Sequence, residues 1–154
     1  MNAMRTRERA LAVLLVLAGS AACGGDGGTG PSKAELTGTW SASRIEYTNV
    51  ANPAQKVDVA QQGATLTLGL QSGGVFTIAL LVPGEAPVDI SGLWSSSTDV
   101  LTLRWTSGAA NNEMQFDMTL TGNSLSLVGA DSEFDFDGDD VDDPATLSLT
   151  LTRQ

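Results

Sequence analysis

The chain contains no histidine and a single cysteine, Cys23, among its 154 residues. These absences exclude Ser-His and Cys-His catalysis, histidine-based pH switching, cysteine zinc sites and disulfides within the chain. Lys and Arg together number 8 against 18 Asp and Glu, which gives a formal net charge of −10. So acidic a chain lacks the basic patches that hold nucleic acid phosphates. We therefore expect a protein that is not an enzyme and does not bind nucleic acid.

The first 22 residues have the layout of a secretory signal peptide. Arg5, Arg7 and Arg9 precede an apolar run over residues 10–18, and small residues follow. The run is much shorter than the roughly 20 residues that a membrane-spanning helix needs. We expect residues 1–22 to be removed, which leaves a length suited to one globular domain.

Residues 20–23, Ser-Ala-Ala-Cys, resemble the lipobox of bacterial lipoproteins. The resemblance implies that Cys23 is acylated and becomes the new N-terminus. Residues 23–35 would then be the acylated cysteine and a flexible glycine-rich tether. More than one acyl chain anchors a protein stably, so the expected location is a bacterial membrane, facing the periplasm or the cell surface. The alternative is cleavage near Ala22 by an ordinary signal peptidase, which would release a secreted domain.

Residues 36–154 show the alternation of apolar and polar residues that is typical of antiparallel strands, and no helical stripe is evident. We predict eight strands joined by short turns, over residues 38–48, 64–71, 74–83, 87–96, 99–107, 112–121, 124–137 and 145–153. Closure removes the exposed edges of such a sheet. The favoured fold is therefore all-β, an eight-stranded up-and-down antiparallel barrel, and a β-sandwich is the alternative.

A Gly-x-Trp motif, Gly38 to Trp40, opens the first predicted strand, and Arg153 lies late in the last one. Alternation points Arg153 inward, where a guanidinium is costly unless it stacks on an aromatic ring or donates to carbonyls. The motif and the arginine resemble those of lipocalins, and of the lipocalin-like (calycin-type) domains of bacterial lipoproteins. The resemblance implies that Trp40 and Arg153 close the base of a barrel over residues 36–154. It also implies binding of small apolar molecules, envelope maintenance or partner recognition.

The inward-facing positions of the central strands are apolar. They are compatible with a pocket for a hydrophobic small molecule, in which methionines give an adaptable wall, and equally with a packed core. The candidate ligand-binding residues are Phe76, Trp94, Trp105, Met114, Phe116 and Met118.

An acidic hairpin is predicted at residues 131–143, which contain eight carboxylates in thirteen positions. Its spacing matches the first positions of an EF-hand-like calcium loop, although Pro144 occupies the position of the final glutamate. The alternative is a solvated acidic edge that resists pairing with other chains. The candidate calcium ligands are Glu133, Asp135, Asp137 and Asp139.

Two functions follow from these features. The leading hypothesis is a membrane-anchored lipoprotein whose lipocalin-like barrel, a monomeric domain, binds a small hydrophobic ligand. The alternative is a non-enzymatic envelope interaction module, in which the acidic hairpin binds calcium or a cationic partner above a solid core. Calcium is the one candidate cofactor.

Overall fold

The computed structural model describes residues 30–105 and 113–154. The predicted signal peptide, Cys23 and the turn predicted between the strands at 99–107 and 112–121 lie outside this part. Within it are one short helix, α1 (Lys33–Leu36), a 3₁₀ helix (Val59–Gln62) and nine strands: β1 (Gly38–Asn49), β2 (Lys56–Asp58), β3 (Thr65–Leu70), β4 (Val75–Leu81), β5 (Val88–Ser97), β6 (Val100–Trp105), β7 (Glu113–Thr121), β8 (Ser124–Phe134) and β9 (Asp143–Arg153). Neither helix in the described ranges is long and apolar enough to cross a bilayer.

Eight long strands form a closed antiparallel barrel. Strands β1 and β3 to β9 pair in chain order, and β9 pairs back with β1 over most of its length. The short strand β2 pairs with the second half of β1. The prediction of an eight-stranded up-and-down barrel is thus confirmed, and the sandwich alternative is excluded.

The predicted strand boundaries are close to those observed, and the largest difference lies at the end of β8. That strand ends at Phe134, whereas the alternation predicted a strand to residue 137. The side chain of Asp135 turns the chain, because its Oδ1 accepts hydrogen bonds from the backbone N–H of Asp137 and Gly138 at 3.2 and 2.7 Å. Its Oδ2 accepts another from Asp140 N–H at 3.1 Å. An aspartate that bonds its own following backbone competes with the sheet in this way.

Three short elements were not predicted: α1, β2 and the 3₁₀ helix. Strand β2 is only three residues long, too short for a visible alternation. Helix α1 is a single turn that depends on a capping box, in which Ser32 Oγ accepts from Glu35 N–H and the Glu35 carboxylate accepts from Ser32 N–H. These elements are fixed by local hydrogen bonds, so hydrophobic periodicity does not reveal them.

The base of the barrel is the end where β1 begins and β9 finishes. Trp40 is fully buried there, and the guanidinium carbon of Arg153 lies 4.3 Å from the centroid of its ring. Arg153 Nη1 donates to Thr37 O at 2.7 Å, and Nη2 donates to Glu35 O. Trp40 Nε1 donates to Leu36 O at 2.9 Å. The two side chains therefore hold α1 against the base.

Gly38 is the glycine of the Gly-x-Trp motif, and Arg153 explains why it is a glycine. Its φ is +149°, and a Cβ added there would lie 2.5 Å from Arg153 Nη1. Any other residue would be strained and would displace the guanidinium. The space above Gly38 in the first strand is therefore occupied by the guanidinium of Arg153 from the last strand.

Two β-bulges interrupt the described part of the barrel wall. In β1 the register with β9 shifts between Ala42 and Arg44, and the pairing with β3 ends at Ser41. In β8 the register with β9 shifts between Leu127 and Ala130, where Gly129 has a φ of +89°. An extra residue of this kind bends its strand and breaks the local pairing. Each bulge therefore turns its strand away from one neighbour.

Replacing Arg153 with methionine should lower the free energy of unfolding by about 2–4 kcal/mol, because it removes two hydrogen bonds from a charged donor and a cation–π contact. Urea unfolding followed by circular dichroism measures the change. Arg104→Met is the matched control, since Arg104 is 68% exposed and forms a surface ion pair. Equal losses in the two variants would contradict the structural role of Arg153.

Candidate functional site

The lower interior of the barrel is filled by side chains. Phe76, Phe116, Leu68, Leu101 and Leu151 are each less than 2% exposed. Four of the six residues predicted to bind a ligand belong to this buried cluster, namely Phe76, Trp94, Phe116 and Met118. The sequence was compatible with either a ligand pocket or a packed core. Near the base, the structure has the packed core.

Trp94 is held by the base rather than exposed to a cavity. Its Nε1 donates to Gln71 O at 2.9 Å, and the ammonium of Lys33 lies 5.1 Å from its ring centroid. Met118 borders a separate cavity of about 360 Å³ between the base and residues 30–35. Neither side chain reaches the open end of the barrel.

Burial decreases towards the open end, which is the end opposite the base. There several inward-facing side chains are only half-buried, although they pack against the same core: Tyr47, Ile78, Leu80, Ile90, Trp105, Met114 and Phe134. Others at this end, such as Leu66 and Leu147, remain buried. Trp105 and Met114 are the two remaining residues of the predicted ligand set. The structure thus divides that set between a filled base and an accessible upper part.

A gap in the wall lies between β7 and β8 at this end. The two strands pair only from Asp117 with Val128 to Thr121 with Ser124. Beyond the bulge at Gly129, β8 follows β9, so residues 113–116 and 129–134 do not pair with each other in the described part of the chain. The wall of the barrel is therefore open at the side.

A cavity of about 620 Å³ occupies this gap, and we call it the cleft. It is lined by Trp105, Glu113, Met114, Asp131, Ser132, Glu133 and Asp142. Two of these residues are apolar and belong to the barrel interior, whereas four are carboxylates. The cleft therefore combines an apolar wall with an acidic one.

The four carboxylates of the cleft differ in their partners. Glu113 forms an ion pair with Arg104, whose Nε lies 2.9 Å from Glu113 Oε2. Hydrogen bonds from Gln115 and from Arg104 hold the pKa of Glu113 below its ordinary value. Among the described residues, the other three carboxylates, Asp131, Glu133 and Asp142, form no ion pair. The cleft therefore carries an uncompensated negative charge.

The acidic loop, residues 135–142 between β8 and β9, brings together three of the four predicted calcium ligands. Carboxylate oxygens of Asp135, Asp137 and Asp139 lie within 4.8 Å of one another, whereas Glu133 is outside this group and lines the cleft. The hydrogen bond from Gly138 N–H is the main cause that lowers the pKa of Asp135. The charge of Asp139 raises the pKa of Asp137. The loop thus holds like charges close together.

Aromatic contacts hold the acidic loop against the rim of the barrel. The rings of Phe134 and Tyr47 stack with centroids 4.7 Å apart, and Phe136 meets Phe134 edge to face at 5.0 Å. Gln55 Nε2 also donates to Phe136 O at 3.4 Å. Burial in this contact raises the pKa of Tyr47. The loop is therefore attached to the wall beside the cleft.

Sequence reasoning did not bring Glu113, Asp131, Ser132 or Asp142 into a ligand site. One signal was available in β8. Its inward-facing residues have odd numbers up to Leu127 and even numbers from there to Phe134. Such a change of parity within one strand indicates a bulge, and a bulge at a barrel rim indicates an opening.

Comparisons with known proteins find similar solved structures but no matching family. No protein-family model matches the chain, and no curated protein matches it. Six chains of solved structures match. One of them, described as the structure of EF1p2_mFAP2b bound to DFHBI, is 21% identical with a TM-score of 0.46, and the match covers 77% of this chain and 94% of that chain.

Proposed function

We propose that this protein is a cell-envelope lipoprotein with a lipocalin-like barrel that binds a small hydrophobic molecule in the cleft. Acylation at Cys23 would anchor it to a bacterial membrane. The binding site would be formed by Trp105 and Met114, while the filled base, with Trp40 and Arg153, would serve as a rigid support.

The apolar wall of the cleft carries this proposal. Trp105 and Met114 belong to the hydrophobic interior, yet both remain partly exposed where β7 and β8 separate. The volume of about 620 Å³ lies within the range of about 300–1,000 Å³ that is typical of small-molecule pockets. A ligand that covered this wall would remove apolar surface from water, which favours binding.

The position of residues 30–36, where the predicted tether meets the barrel, supports the same proposal. Residues 30–36 lie at the base, where Arg153 donates to backbone carbonyls of α1 and the next residue. An anchor at Cys23 would therefore join the barrel at its base. The cleft lies at the other end, so it would stay accessible while the protein is attached to the membrane.

The apolar fluorophore diphenylhexatriene should bind to residues 24–154, which include every strand of the closed barrel. Trp105→Ala should weaken this binding at least about tenfold, a loss of ~1.4 kcal/mol, because it removes the largest apolar surface of the cleft. Fluorescence titration gives the dissociation constant, and circular dichroism checks the fold.

The matched control is Leu93→Ala, since Leu93 is 54% exposed and points outward from β5. It should bind the probe as the parent does. Absence of probe binding by the parent, or equal affinities of the parent and Trp105→Ala, would contradict the proposal.

A second candidate function, calcium binding, is favoured by the proximity of three carboxylates in the acidic loop. Calcium prefers oxygen ligands and would offset the repulsion that raises the pKa of Asp137. That repulsion destabilises the folded loop while Asp137 is ionised, and it is relieved as the pH falls through its raised pKa. Calcium would therefore stabilise the protein most at neutral pH.

If the loop binds calcium, millimolar Ca²⁺ should raise the melting temperature at pH 7, and the effect should shrink at acidic pH as the ligands are protonated. Asp135→Asn with Asp139→Asn should abolish it. The control pair Glu85→Gln and Asp89→Asn removes the same charge from exposed positions outside the loop and should keep the response. Identical melting temperatures with Ca²⁺ and with a chelator would remove this candidate.

A further inference from the structure

We infer that the cleft selects an apolar molecule that carries a positive charge, such as a lipophilic amine or quaternary ammonium compound. The inference rests on the proposed function and adds the chemical class of the ligand to it. It follows from the charges around the cleft, from the nature of its aromatic wall and from the state of the basic side chains.

The acidic wall supplies the counter-charge. Asp131 and Glu133 come from the part of β8 beyond the bulge, and Asp142 comes from the end of the acidic loop. All three are exposed and none has an ion-pair partner among the described residues. A cation bound in the cleft would be attracted by three carboxylates without first displacing a salt bridge.

The apolar wall also suits a cation. Trp105 is a tryptophan, whose ring attracts cations more strongly than the rings of other aromatic residues, and the attraction grows as the cation loses water. Met114 adds a polarisable thioether beside it. The same side chain that would bind the apolar body of the ligand can therefore also stabilise its charge.

An anionic ligand such as a fatty acid would find no free counter-charge in the described structure. Arg104, the basic residue beside the cleft, is committed to Glu113. Arg44 and Lys56 both pair with Glu46, on the outer face of β1 and β2. The remaining described cations, Lys33 and Arg153, lie at the base on Trp94 and Trp40. The charge distribution therefore discriminates against carboxylates and favours cations.

Three probes with the same apolar body test this inference: neutral diphenylhexatriene, its trimethylammonium derivative and its propionic acid derivative. Their dissociation constants for residues 24–154 are measured by fluorescence at pH 7. We expect the trimethylammonium probe to bind at least about tenfold more tightly than the propionic acid probe, with the neutral probe between them. Raising the ionic strength from about 0.01 to about 0.15 M should narrow these differences.

Two triple variants with equal net charge separate the cleft from the acidity of the whole protein. Asp131→Asn, Glu133→Gln and Asp142→Asn remove the free carboxylates of the cleft and should abolish the preference for the cationic probe. Glu85→Gln, Asp89→Asn and Asp99→Asn are exposed positions outside the cleft, and this control should keep the preference. Circular dichroism checks the fold of both variants.

Each outcome decides the question. Loss of the preference in the cleft variant alone supports the inference. Equal affinities for the three probes would overturn it while the proposed binding of apolar molecules stands. An equal loss in both variants would assign the preference to the overall charge and would also overturn it. If no probe binds, the proposed function fails as well.

Discussion

In a closed barrel, the backbone groups of every strand need hydrogen-bond partners on both sides. In the described wall, two bulges each separate a strand from one of its neighbours, so that strand pairing is interrupted there. At the first, beyond Ser41, β1 separates from β3, and β2 with the 3₁₀ helix occupies the space. At the second, beyond Val128, β8 separates from β7, and no described strand replaces it. The cleft is the consequence of this second, unfilled separation.

The two ends of the barrel therefore have different roles. At the base, Arg153 connects the last strand to Trp40 and to the carbonyls at residues 35 and 37, so that the two chain ends of the barrel stabilise each other. At the open end, the wall separates and interior side chains become accessible. A rigid lower half can hold Trp105 and the acidic wall in place, and preorganisation of this kind lowers the cost of binding.

Much of the fold was predictable, because strand alternation depends on a period of two that the sequence displays directly. The inward parity of Arg153 and the Gly-x-Trp motif also indicated their proximity. The cleft was not predicted, because it depends on a shift of one residue near Gly129 and on side chains that are far apart in sequence, such as Glu113 and Asp142. Trp94 shows the same limit: alternation predicted that it points inward, but not that its indole N–H would donate to Gln71 O near the base.

Amide hydrogen exchange resolved by NMR tests the central claim, that the wall is open between β7 and β8, most directly. In residues 113–116 and 129–134, amides that face the cleft should exchange fast, while alternate amides bonded to β6 or β9 exchange slowly. Residues 125–127, which pair with β7 on one side and with β9 on the other, should exchange slowly throughout. Uniformly slow exchange across residues 113–116 and 129–134 would show that the two strands pair along their whole length, and would contradict the account.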